Sequence, residues 1–175
     1  GAWTALVELV ERVLDKDVVD PTIAVDMGLR VAKWAATNVG DPVKAETLYR
    51  SVLEREPEHQ DALMELETLL RNLGRFEELL EVMKSRANVI YDFGEKKALF
   101  VSMAEIARTE LANTDEAIAA YLAIRDFDEA DLEAIDALIN LYQESDQEEK
   151  LVEALLQRAD YTQEPREGNA RRHQA

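Results

Sequence analysis

The chain is 175 residues long, 47% hydrophobic, and carries 20 Lys and Arg against 37 Asp and Glu, a formal net charge of −17. That balance excludes the basic footprint with which proteins neutralise nucleic-acid phosphates, and it disfavours an anionic membrane surface for the same reason. Cysteine is absent, which removes disulfides, thiol nucleophiles and Cys-based zinc sites, and there is no run of about 18 apolar residues to make a transmembrane helix.

Apolar residues recur at i, i+3, i+4 and i+7 along the chain, the period of helices buried on one face. The first predicted helix spans 2–15; its acids and its lack of a basic segment distinguish it from a secretory signal. The stretch DKDVVDPT links it to a helix over 22–38. Gly40 suits the left-handed conformation that ends a helix, Asp41 suits the cap of the next one, and Pro42 suits its first position. The helix over 42–55 stops before Pro57, whose ring clashes with a preceding helical turn. Helices over 59–73, 75–90 and 95–111 follow. Asn113, with Glu116 three residues on, is read as a capping box for 114–126. After 131–144, Asp146 and Glu149 are read as the same device opening 147–161. Pro165 and Gly168 break the pattern, so 162–175, with Arg166, Arg171 and Arg172, is read as an irregular, slightly basic tail.

A shift of 72 residues lays the chain on itself without a gap. Ala32, Ala35 and Thr37 fall on Ala104, Ala107 and Thr109; Ala45 and Tyr49 on Ala117 and Tyr121; Ala62, Leu66 and Leu69 on Ala134, Leu138 and Leu141; Leu79, Glu81 and Arg86 on Leu151, Glu153 and Arg158. Each block holds two units of roughly 34–38 residues, the length of a helix–turn–helix repeat that buries its apolar face by stacking. At a shift of 73, Gly1, Trp3, Leu6 and Glu8 fall on Gly74, Phe76, Leu79 and Glu81. The chain is therefore expected to open on the second helix of a repeat, either as a segment of a larger array or as an array with an unusual N-terminal cap.

Gly40, Ala45, Tyr49, Val52 and Pro57, preceded by Val31, Ala32 and Ala35, stand in a pattern that resembles the tetratricopeptide repeat. The alternation of the two unit types looks like that of long bacterial proteins of this family. The resemblance covers 1–161 and implies an all-α fold: a right-handed α-solenoid of antiparallel helical hairpins, about nine helices, followed by the tail 162–175. Four departures stand out. Leu79 and Leu151 replace a small residue, which implies wider helix pairs; Ala112 replaces the turn Gly; Glu129 replaces the terminal Pro; and the first helices at 22–38 and 95–111 run one residue long. The resemblance further implies binding without catalysis, the first helix of each hairpin lining a groove for a protein or peptide. By register its exposed positions include Arg30, Lys33, Met64, Thr68, Arg71, Glu105, Arg108 and Asn140, with Leu29, Val101, Asp136 and Gln143 beside them. Lys33, Arg71 and Arg108 would make a broken basic line suited to an acidic or C-terminal peptide.

The remaining candidates for chemistry lack the spacing chemistry needs. His59 has no second ligand near it and reads as an exposed surface histidine. The acids of DFDEADLE, Asp131 among them, lack the calcium-loop spacing and read as solvated turn residues. Trp3, Trp34, Tyr49, Phe76, Tyr121 and Tyr142 recur at helical spacing and read as core. No catalytic, cofactor or metal residue is expected. The sequence points to a non-enzymatic interaction scaffold with a protein or peptide partner; the alternative is a spacer or self-association module acting through its repeat ends or tail. The acidity itself suits solubility or, more sharply, a basic partner.

Overall fold

The computed structural model describes residues 1–14 and 19–163, with Gln163 described by its backbone alone; the tail arginines lie outside the described residues. Among these residues the structure is all-α with no strand: α1 (Ala2–Leu14), α2 (Pro21–Trp34), a π-helical turn (Ala35–Val39), α3 (Pro42–Arg55), α4 (Gln60–Asn72), α5 (Phe76–Val89), α6 (Phe93–Thr109), α7 (Thr114–Phe127), α8 (Leu132–Glu144) and α9 (Glu148–Gln163). The helical part of the body predicted over 1–161 divides into two compact units, Gly1–Ile90 and the chain from Tyr91 onward. In the first unit α1 packs on α2, α2 on α3, α3 on α4 and α4 on α5; in the second, α6 packs on α7, α7 on α8 and α8 on α9. Each unit is thus a single file of antiparallel helices, every one leaning on its chain neighbours.

The 72-residue shift holds in three dimensions. Helices α2, α3, α4 and α5 begin at 21, 42, 60 and 76, and α6, α7, α8 and α9 begin at 93, 114, 132 and 148. The signals that start them correspond too. The side chains of Asp20 and Asp92 accept from backbone N–H groups at the heads of α2 and α6, and those of Asp41 and Asn113 do so for α3 and α7. His59 is half-buried at the N-cap of α4, where its Nδ1 accepts from the Ala62 N–H at 3.3 Å. Its counterpart Asp131 accepts from the Ala134 N–H at 2.9 Å. His59 is thus a helix cap in place of the exposed histidine expected, and a cap needs its Nδ1 unprotonated.

Asp146 also departs from expectation. It does not cap α9; it sits at φ 55°, in the left-handed region, just past Ser145, the C-cap of α8. Its counterpart is Gly74 at φ 68°, the residue that turns the chain out of α4. The other turn pairs Gly40 at φ 73° with Ala112 at φ 49°, so an alanine holds a conformation that a glycine adopts without steric cost. The extra residue expected in each first helix is absorbed just before these turns. Ala35–Val39 forms a π-helical turn. At the end of α6 the Leu111 N–H donates to the Ile106 carbonyl, five residues back, and the Asn113 N–H to the Ala107 carbonyl. A wide turn of this kind takes up one residue without breaking the helix.

The core explains the small residues. Ala32, Ala35 and Ala45 are fully buried where α2 meets α3, and a Cβ added to Gly28 would stand 2.9 Å from Val52 Cγ2. Leu79, where a small residue was expected, is fully buried as well, and α4 meets α5 less extensively than α2 meets α3. Tyr49 and Tyr142 are buried as expected, whereas Trp3 is 43% exposed and leans on Trp34 with ring centroids 5.6 Å apart.

Candidate functional site

The exposed positions of the first helices were expected to carry the binding face. In the first unit Arg30 and Arg71 are exposed on α2 and α4 and enter no ion pair among the described residues. Met64 is 49% exposed, and the hydroxyl of Thr68, one turn along, donates to the Met64 carbonyl at 3.0 Å. Lys33 departs from the basic line: its ammonium lies 2.9 Å from the Glu65 carboxylate of α4, tying α2 to α4. Leu29 is buried and presents nothing to a partner.

In the second unit the predicted residues converge. Glu105 and Arg108 of α6 and Asn140 of α8 line one pocket of about 190 Å³, together with Tyr121 of α7 and Ala137 of α8. The floor is made of Ala104, Ala117 and Leu141, whose small or buried side chains leave the space open. Among the described residues, no ion pair or side-chain hydrogen bond engages the Glu105 carboxylate, the Arg108 guanidinium, the Asn140 amide or the Tyr121 hydroxyl. Tyr121, read from sequence as core, is half-buried and forms a wall. Burial pushes its hydroxyl above the usual tyrosine range; the negative charge of Glu105 adds to that shift, and Arg108 opposes it. The sequence signal that could have found this role is the loss of bulk at Ala137. In the first unit Glu65 stands at that place, and burial together with the Glu65 charge pushes the Tyr49 hydroxyl upward.

A larger cleft of about 570 Å³ opens on the second-helix side of the first unit, over Leu63, Leu66 and Val82. Its polar rim is largely spent within the protein. Arg50 is held by Glu46 and Glu78, and Glu81 by Lys84, each pair at 2.9 Å. Arg75 joins the same network through Glu46 and Glu78. Burial lies behind the raised pKa of Glu67, but Glu46 moves the other way, below the usual carboxylate range, chiefly through its bond to Arg75.

Among the described residues two acids are buried, one in each unit, and each meets a cation. Glu67 Oε1 lies 2.7 Å from Arg86 Nε. That N–H is not aimed at the oxygen, so the two charges meet while both atoms lack a hydrogen bond. Asp131, expected to be solvated, is buried, with its carboxylate 2.6 Å from the Lys97 ammonium. Capping α8 requires that carboxylate to tuck against the helix end, and Lys97 offsets the cost of burying it. Among the described residues no three His, Asp or Glu side chains gather as a metal-ligand set, and no helix is long and apolar enough to cross a membrane.

No family model matches the chain, and no curated protein does. Solved structures to which it is similar include the ArsTM double mutant of MamA RS-1, at 16% identity, 93% of this chain and 86% of that one, TM-score 0.47. MamA AMB-1 is 17% identical over 97% of this chain and 88% of its own, TM-score 0.47. MamA from Desulfovibrio magneticus RS-1, residues 41 to the end, is 16% identical over 94% of this chain and 99% of its own, TM-score 0.42.

Proposed function

We propose that the chain is a non-enzymatic interaction scaffold that holds an extended segment of a partner protein against its first helices. Arg30, Met64, Thr68 and Arg71 would serve in the first unit, where Lys33 is held by Glu65, and Glu105, Arg108 and Asn140 in the second. The observation that carries this reading is the open pocket between α6, α7 and α8. It gathers four polar side chains, three exposed and Tyr121 half-buried, whose hydrogen-bonding capacity no other described side chain takes up, and a recess with a few convergent polar groups is the usual form of a binding site. A side-chain amide with two donors and an acceptor suits a peptide backbone. The two buried acids lie in different units and each is neutralised by a cation, an arrangement that supplies structure and no acid–base pair.

Panning of randomised peptides against the chain tests the reading. Selected peptides should lose affinity by about tenfold when Asn140 is changed to Ala. A Glu153→Gln change on the outer α9 should leave them unaffected. Peptides that bind all variants equally would overturn it.

A second reading, self-association, is favoured by apolar side chains left exposed on α1 (Leu6, Leu9, Val13) and on α9 (Val152, Leu155, Leu156). Light scattering over a range of concentrations separates the two, because self-association makes the measured mass rise with concentration.

A further inference from the structure

We infer, resting on the peptide-binding reading above, that the pocket between α6, α7 and α8 receives a basic side chain of the bound partner, with Glu105 as its counter-charge and Asn140 and Tyr121 as hydrogen-bonding walls. The same place in the first unit is filled by a pair of opposite charges. There Lys33 and Glu65 close an ion pair of 2.9 Å between α2 and α4. The shift of 72 residues puts Glu105 where Lys33 stands and Ala137 where Glu65 stands. The second unit therefore has an acid in place of the base, and a methyl group in place of the base's partner. What remains is a carboxylate facing a space of about 190 Å³, room for about six water molecules at ~30 Å³ each and so for a four-carbon chain with its ammonium. A cation entering from a partner restores an ion pair, with its polarity reversed.

The surrounding groups agree. An ammonium has three donors, and Glu105, Asn140 and Tyr121, which line the pocket from three helices, each carry an acceptor oxygen. Arg108 lines the pocket as well, almost one turn further along α6, and is exposed like Glu105, so solvent screens both charges alike. At the Tyr121 hydroxyl the influence of Glu105 exceeds that of Arg108. The formal net charge of −17 steers cations toward the whole surface.

The probes are N-acetyl-lysine and N-acetyl-arginine N-methylamides, with the norleucine and glutamate analogues as controls and putrescine as a free diamine. Amide chemical shifts of the intact chain are the readout. The lysine or arginine probe should shift Glu105, Tyr121, Ala137 and Asn140 saturably, and the norleucine and glutamate probes should not. Glu105→Gln should weaken that binding by about fivefold. Glu105→Lys with Ala137→Glu, which transplants the first unit's ion pair, should abolish it while the shifts of the first unit stay in place. If the double variant unfolds, the isosteric Glu105→Gln decides. Absence of a saturable shift, glutamate binding as tightly as lysine, putrescine binding more tightly than both amino-acid probes, or indifference to Glu105→Gln would each overturn the inference. Selected peptides that bind the first helices without a basic residue would sink this inference and leave the peptide-binding reading standing. A lysine probe that saturates the pocket of a chain selecting no peptide would do the reverse.

Discussion

Replacing Ala112 by Gly should stabilise the protein, and its size can be worked out from the backbone. Ala112 is exposed and sits at φ 49° in the turn between α6 and α7, so its methyl group contributes little packing. Holding an L-residue in the left-handed region costs about 1–2 kcal/mol. Glycine removes that cost but makes the unfolded chain freer, which takes back about 0.4–1 kcal/mol. A net gain of about 0.5–1 kcal/mol remains, a rise in melting temperature of about 1–4 °C for a chain of this size. Scanning calorimetry reads it, and if the two units melt separately the shift should appear in the second. The reciprocal change is cleaner still. An added Cβ at Gly40 meets no atom within 4 Å, so Gly40→Ala tests the backbone alone and should cost about as much as Ala112→Gly gains. Asp146→Gly should gain less, because a short polar side chain tolerates the left-handed conformation better than alanine does. A neutral or destabilising Ala112→Gly beside a harmless Gly40→Ala would refute the reasoning.

Three further outcomes are expected. Gly28→Ala drives a methyl group to 2.9 Å from the buried Val52 and should lower the urea midpoint by the equivalent of about 1–2 kcal/mol, overpacking outweighing the better helix propensity of alanine; Val52→Ala added to it should restore part of the loss. His59→Asp, which installs the cap that Asp131 already provides in the second unit, should raise stability by about 0.5–1 kcal/mol in the same assay, and an unchanged or lower midpoint counts against the capping role. Burial raises the Glu67 pKa above its ordinary 4.5, so the folded chain holds that proton more tightly than the unfolded one, and stability falls as pH rises from 4.5 through the folded value. Glu67→Gln should flatten that fall in a pH series of unfolding curves. Glu46, held below 4.5, contributes stability of the opposite slope, present above 4.5 and lost on acidification through its folded value.

Much of the fold was legible without coordinates because it is written in local rules repeated in register. Helical periodicity, the Asp41 and Asn113 caps, and the Gly40 turn each act within a few residues, and the 72-residue shift let one unit vouch for the other. Asp146 was misread for the same local reason. An Asp two residues before a helix looks like a cap, and only its alignment with Gly74 in the folded chain reveals a left-handed turn. His59 went unrecognised because histidine is an uncommon cap, and Asp131 because the cation that compensates its burial, Lys97, lies 34 positions away in the sequence.

At the candidate site, sequence register was enough to select Glu105, Arg108 and Asn140 as neighbours on first helices, since the helical period determines which residues share a face. Whether such residues are available for binding depends on what stands across from them, and that belongs to packing between helices. Lys33 and Glu105 occupy the same place in the repeat; one is spent on Glu65 and the other faces the methyl group of Ala137. Tyr49 and Tyr121 fill the same position as well, yet one is sealed in the core and the other lines an open recess. Charge and volume on a neighbouring helix decide each case, and only the folded chain brings those neighbours together.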